Sequence, residues 1–107
     1  MRADLPPGLQ AAQAVHAAVE FAVSDPSTAT RWHRESNFLV IVSVPDEGAL
    51  TELLLRGVEA GVQVHSVREP DIGDELTAVA FEPGAGARKL CAELPLALRE
   101  GSRMKVA

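Results

Sequence analysis

The sequence predicts a single α/β domain built in layers, and three observations carry that prediction. Helical and strand-like segments alternate along the 107 residues. One strand segment, NFLVIVSV from Asn37 to Val44, is a continuous apolar run, and the last two strand segments follow each other with no helix between them. Alternation brings strands together in parallel across helical crossovers, whereas directly consecutive strands pair antiparallel. The expected sheet is therefore mixed and packed against helices.

The first element is a long helix from Pro6 to about Ser24. Pro6 and Pro7 suit a first turn, where a missing N–H costs nothing, and Asp4 or a neighbour is placed to cap it. Its alanines raise helix propensity. Leu9, Ala12, Gln13, His16 and Glu20 fall three or four apart and share one face, while Ala11, Val15, Ala18, Val19 and Ala22 form a broader apolar face expected to meet the core. Ser24, Asp25 and Pro26 end this helix, and STATRWHRES reads as a polar connection with room for a short helix.

The run from Asn37 to Val44, closed by Pro45, fits a strand buried on both faces. Asp46 then caps a second long helix to about Ala60, with Leu50, Leu53, Leu54 and Val58 on its inner face and Gly61 as its stop. VQVHSVRE alternates cleanly and LTAVAFE follows it, so both read as strands. PGAGAR opens a last helix, roughly Ala85 to Glu93, and the polar residues from 99 to 107 read as a loose tail. One domain accounts for the whole chain, 1–107, because a single core commonly holds about 100 to 150 residues.

Composition narrows the function classes. Hydrophobic residues make up 47% and charged residues 23%, close to the globular average, and no segment approaches the roughly 20 apolar residues of a membrane span. MRADLPPG lacks an apolar segment of the signal-peptide kind. Cys91 is the only cysteine, so no internal disulfide forms and a reducing cytoplasm is the natural compartment. A net charge of -5 argues against a whole-surface grip on nucleic acid, although RWHR, Arg31 to Arg34, and the adjacent Arg88 and Lys89 leave room for a local patch. The plain alternative is that these are solvated surface charges.

Two constellations carry chemistry. His16 is a core histidine or a general acid/base, and the second reading gains from Glu20, one turn on, which can accept a ring N–H, and from Gln13, one turn back. REPDIGDELT, Arg68 to Thr77, gathers Glu69, Asp71, Asp74 and Glu75 around Gly73. It is either a solvated hairpin or a carboxylate and hydroxyl presented at a strand end, where α/β sheets bind ligands. His16, His33 and His65 lack metal-ligand spacing, and neither a Walker loop nor GxGxxG is present, so no metal and no cofactor is expected. Cys91 reads as a small buried hydrophobe, and Trp32 as a packed ring or a surface for a base.

PPGLQAAQAVHAAV, the apolar run followed by PDEGALTELLLRGVEAGVQV, and DELTAVAFEPG together resemble the type II peptidyl-tRNA hydrolases, over Asp4 to about Leu94. The most specific stretch is AAQAVHAAV, Ala11 to Val19, where that family carries a glycine-lysine-x-alanine-alanine-glutamine-x-x-histidine-alanine pattern. The resemblance implies a mixed sheet of about four strands between helices, a homodimer, and hydrolysis of the ester joining a peptide to tRNA without metal or cofactor. It makes His16, Thr77 and Asp71 the catalytic candidates, with Glu69 the alternative acid. Gly8, Gln13, Arg31, Arg34 and Arg68 are the candidates for binding peptidyl-tRNA. Leu9 stands where the family carries its lysine, and only Met1 to Ala3 remain of the family's first strand. A binding or regulatory domain for RNA or protein, catalytically silent, is the alternative function.

Overall fold

A computed structural model of the chain describes residues 1–99. Among them the elements run α1 (Pro7–Ser24), α2 (Pro26–Glu35), α3 (Glu47–Glu59), β1 (Val64–Glu69), β2 (Glu75–Phe81) and α4 (Ala85–Cys91), with a 3-10 turn at Pro70–Ile72 between the strands. The chain is thus mixed α/β, with β1 and β2 in an antiparallel pair. Of the tail expected from 99 to 107, only Arg99 lies within the described residues. None of the described helices is long and apolar enough to cross a membrane.

The helix boundaries follow local chemistry. Asp25 accepts a hydrogen bond from the Thr28 amide at 3.2 Å and starts α2 in the segment read as a polar connection. Asp46 does the same for Ala49 at 2.9 Å and starts α3. Asn37 adopts a left-handed φ of 53° and donates its amide to the Trp32 carbonyl at 2.7 Å, which ends α2. Asp4 does not cap α1, whose first turn has Pro6 before it and no side-chain cap. Its carboxylate is taken by Arg2 instead, through two bonds of 2.9 Å.

A bulge in β2 decides which residues face which helix. Val67 pairs with Ala78 but Arg68 pairs with Leu76, so Thr77 is an extra residue in the ladder. Because side chains alternate along a strand, one extra residue reverses the parity. Leu76 therefore joins Val79 and Phe81 against α3, in a cluster with Val44, Leu50 and Leu53. Ala78 and Ala80 point the other way and meet Ala17 of α1, Val67 and Met1.

The face that α1 turns inward is not the expected one. Gln10, Gln13 and Ala17 are buried, whereas Ala11, Val15, Ala18, Val19 and Ala22 are exposed. The glutamines go inside because acceptors wait there: Gln10 donates to the Leu5 carbonyl at 2.6 Å and Gln13 to the Glu69 carboxylate at 3.3 Å. A buried amide with partners costs little. In α3, Leu50 and Leu53 are buried as expected but Val58 is exposed, and the inner row ends at Gly57, packed under the Phe81 ring.

The sheet is narrower than the four strands anticipated, because residues 37–44 make isolated bridges rather than a strand. Arg2 pairs in parallel with Val44, and Leu96 pairs with Val42 from the opposite edge. Ala3 donates to the Val44 carbonyl and Val44 to the Met1 carbonyl, at 2.8 and 2.9 Å. On the other edge Ser43 donates to the Pro95 carbonyl and Ala97 to the Ile41 carbonyl, at 2.9 and 2.8 Å. Phe38, Leu39, Val40 and Ile41 are left 77%, 65%, 60% and 42% exposed.

Two consequences are measurable. A β-carbon at Gly57 would lie 2.5 Å from Cε1 of Phe81, so Gly57→Ala is expected to lower stability by about 1 to 3 kcal/mol, read as a lower urea midpoint. Arg2 holds the Asp4 carboxyl below its ordinary pKa, chiefly through their hydrogen bonds. A depressed carboxyl contributes stability above its unfolded pKa, near 4, and loses it as pH falls through the folded value. Asp4→Asn should therefore lower the melting temperature modestly at pH 7, since Asp4 is half-exposed and screened. The two melting curves should converge as pH falls below the ordinary carboxyl range.

Candidate functional site

Helix α1 lies along β1 in the opposite direction, and their repeats match. Gln13 bonds to Glu69, Ala17 packs in the cluster that holds Val67, and the Phe21 ring stands 5.7 Å from the His65 ring. Four helical residues rise about 6 Å, close to the 6.6 Å of two strand residues, so one face of α1 stays aligned with the hairpin along its length. The face of α1 that carries Gln13, Ala17 and Phe21 is thereby held against the hairpin.

The polar centre of this region is Glu69. Its Oε1 accepts from Gln13 Nε2 at 3.3 Å and its Oε2 from the Asp71 amide at 3.4 Å. Gln13 is only 1% exposed, so the carboxylate is fixed from below by a side chain that has no freedom to turn away. Asp71, two residues further into the 3-10 turn, is exposed, and its carboxylate accepts no hydrogen bond from a described residue. Of the two acids, Glu69 is the one joined to the histidine-bearing helix.

His16 is exposed on α1 and makes no hydrogen bond or ion pair with a described residue, including Glu20 and Gln13. Thr77 is fully buried and its hydroxyl donates to the Val67 carbonyl at 3.2 Å. It closes the bulge that sets the direction of β2. Gly8 is exposed in the first turn of α1, with nothing within 4 Å of a β-carbon placed there.

The basic candidates separate. Arg68 stays at the Glu69 end, where it donates to the Asp74 carbonyl at 3.2 Å. Arg31 and Arg34 belong to α2, next to the far end of the hairpin, and Arg31 lines a cleft there with Arg88 of α4. No group of three His, Cys, Asp or Glu side chains among the described residues is placed to hold a metal ion. Cys91 is half-buried, and burial pushes its thiol up, away from the reactive thiolate.

Two pairings escape a reading of the sequence alone. Arg2 is buried and bridges Asp4, Glu75 at 2.7 Å and the Leu76 carbonyl at 3.1 Å. The Leu76 amide in turn donates to Glu47 of α3 at 2.8 Å. His65 pairs with Glu82 at 2.7 Å in a nearly enclosed setting. Its signal lies in the strand register: His65 opposes Ala80, which makes Glu82 its diagonal neighbour.

The family model described as Peptidyl-tRNA hydrolase PTH2 matches residues 1–89 of the chain. No curated protein matches it.

Removing the Thr77 hydroxyl tests its place in the bulge. Thr77→Val leaves the Val67 carbonyl without that donor and is expected to cost about 1 to 2 kcal/mol in chemical denaturation. Thr77→Ser should recover most of the loss.

Proposed function

The chain belongs to the peptidyl-tRNA hydrolase PTH2 family, and from that premise we propose that the flank of α1 around His16 cleaves the ester between peptide and tRNA. Family membership carries the peptidyl-tRNA hydrolase-like function, with peptidyl-tRNA as substrate. The observation that supports this placement is the Gln13–Glu69 hydrogen bond, which fastens the histidine-bearing helix to an acid at the hairpin end.

In this reading a water molecule held between His16 and the carboxylate attacks the ester carbonyl. The base takes the water proton, the carbonyl carbon passes through a tetrahedral intermediate, and the bond to the ribose oxygen breaks. The departing oxygen takes a proton, so a free peptide carboxylate and a tRNA with its terminal hydroxyl restored leave the site. Glu69 carries the acid role on geometric grounds, and Asp71, exposed two residues away, is the second candidate. Thr77 acts through the bulge, holding Glu69 and the turn in place. Gln13 orients Glu69, Gly8 leaves the first turn of α1 open to the substrate, and Arg31, Arg34 and Arg68 meet tRNA phosphates. We read the isolated bridges at Arg2, Val42, Val44 and Leu96 as positions of the wider mixed sheet that the family resemblance implies. A cytoplasmic homodimer is the expected setting.

A peptidyl-tRNA cleavage assay on the purified protein decides between the acids. His16→Ala is expected to reduce kcat/KM by about 100-fold or more, the scale of a lost general base. Glu69→Gln should match that loss while Asp71→Asn stays within about threefold; the reverse order moves the role to Asp71. Equal cleavage by wild type and His16→Ala removes the histidine from the mechanism.

A further inference from the structure

At the end of the hairpin away from Glu69, α2 and α4 enclose a cleft of about 300 Å³. Thr28, Arg31, Trp32 and Ser36 line it from α2 and its C-terminus, and Gly84 and Arg88 from the start of α4. Its size is at the small end of ligand pockets, enough for one nucleotide unit. The six residues of β1 separate it from Glu69 by about 20 Å.

Its charge runs against that of the chain. The protein carries -5 overall, yet Arg31 and Arg88 line this cleft, and Arg34 and Lys89 lie on the same two helices. None of these four cations forms an ion pair with a described residue. The neighbouring acids are already engaged: Asp25 caps α2 and Glu82 holds His65. Glu35 on the wall is the single carboxylate among the lining residues. Guanidinium groups on two walls of a small cleft, Arg31 within the field of Asp25 but not ion-paired to it, are suited to a phosphate, which each can meet with paired donors.

The third wall is a fixed aromatic surface. Trp32 is pinned by its indole N–H, which donates to the Phe38 carbonyl at 2.8 Å, and by an edge contact with Phe21 at 6.1 Å. A ring held in one orientation loses little entropy when a base stacks on it, and stacking on an aromatic side chain is worth about 1 to 3 kcal/mol per base. Cations alone would describe a general phosphate patch. The held indole between them adds a preference for an unpaired nucleotide.

We propose that this cleft is a nucleotide subsite that takes one unpaired RNA residue, with the base on Trp32 and the phosphate between Arg31 and Arg88. The identity of that RNA rests on the hydrolase reading: it is the single-stranded 3′ end of tRNA, several nucleotides back from the ester. Recognition at this distance anchors the substrate by its RNA part and leaves the peptide end free to vary.

Trp32 is the only tryptophan, and the chain has no tyrosine, so its emission reports on the cleft directly. Titration with a short CCA-ended single-stranded RNA at low salt is expected to quench it saturably. A blunt duplex of the same length, whose bases are already stacked, should bind at least about tenfold more weakly. The double variant Arg31→Ala, Arg88→Ala should raise Kd about tenfold or more, with a shallower salt dependence, each lost phosphate contact removing about 0.7 from the slope. Both residues are exposed and unpaired, so an unchanged melting temperature verifies that the variant is folded. In the cleavage assay the same variant should raise KM.

The outcomes separate the two readings. Saturable quenching without ester cleavage leaves the subsite standing and removes the hydrolase assignment. Cleavage with an unchanged KM in the double variant removes the subsite alone. Equal binding of duplex and single strand, or no quenching by the wild type, overturns the subsite as well.

Discussion

The buried guanidinium of Arg2 is the constraint on which the remaining geometry depends. Taking a cation out of water is costly unless it finds acceptors and opposite charge. Here Asp4 takes two bonds, Glu75 one and the Leu76 carbonyl one. Satisfying that one group ties the segment leading into α1 to the beginning of β2. With its start fixed, α1 lies along the hairpin at the height where Gln13 reaches Glu69. Glu47 completes the joint by accepting from the Leu76 amide, so α3 is bound to the same strand residue. Both main-chain groups of Leu76 are satisfied by side chains from other elements, where a neighbouring strand would otherwise serve.

Much of the secondary structure is legible in the sequence because it is set locally. Prolines open α1, aspartates cap α2 and α3, and alternation marks β1. What the pattern does not contain is whether a partner is present. The run from Phe38 to Ile41 is as apolar as any buried strand, yet among the described residues its segment makes only isolated bridges, to Arg2 and Leu96, and these four side chains stay exposed. The inward face of α1 is misjudged for a related reason. Hydrophobicity favours its valines for the interior, but the carbonyl of Leu5 and the carboxylate of Glu69 lie on the other side and need donors. The site shows the same division. His16 stands out in its alanine-rich helix, whereas the standing of Glu69 over Asp71 depends on a contact between residues 56 positions apart. The place of Thr77 depends on a bulge that no composition reveals.

The hairpin is also a ruler between two chemistries. One end holds Glu69, bonded to the helix that carries His16. The other end holds Arg31 and Arg88 with Trp32 in the cleft we propose for a nucleotide. Under that proposal an acidic protein serves an RNA substrate with its negative charge spread and its positive charge local. Repulsion from the wider surface also discourages indiscriminate attachment along an RNA duplex, and so leaves the local cleft to determine where the substrate is held.

The tie between Arg2 and β2 has a further consequence for how the molecule is made. Synthesis proceeds from the first residue, yet Arg2 finds its acceptors on Glu75 and Leu76, 73 and 74 positions later, and the second edge of the 37–44 segment is met only by Pro95 and Ala97. Contacts of such long sequence separation close late. A nascent chain emerging from the ribosome therefore displays helices without their core, and FLVI with neither flank covered, until nearly all of the described residues are outside the exit tunnel. During that interval the chain presents the kind of uncovered apolar segment that chaperones bind, so a member of a peptidyl-tRNA hydrolase family depends on the late stages of its own translation to become folded.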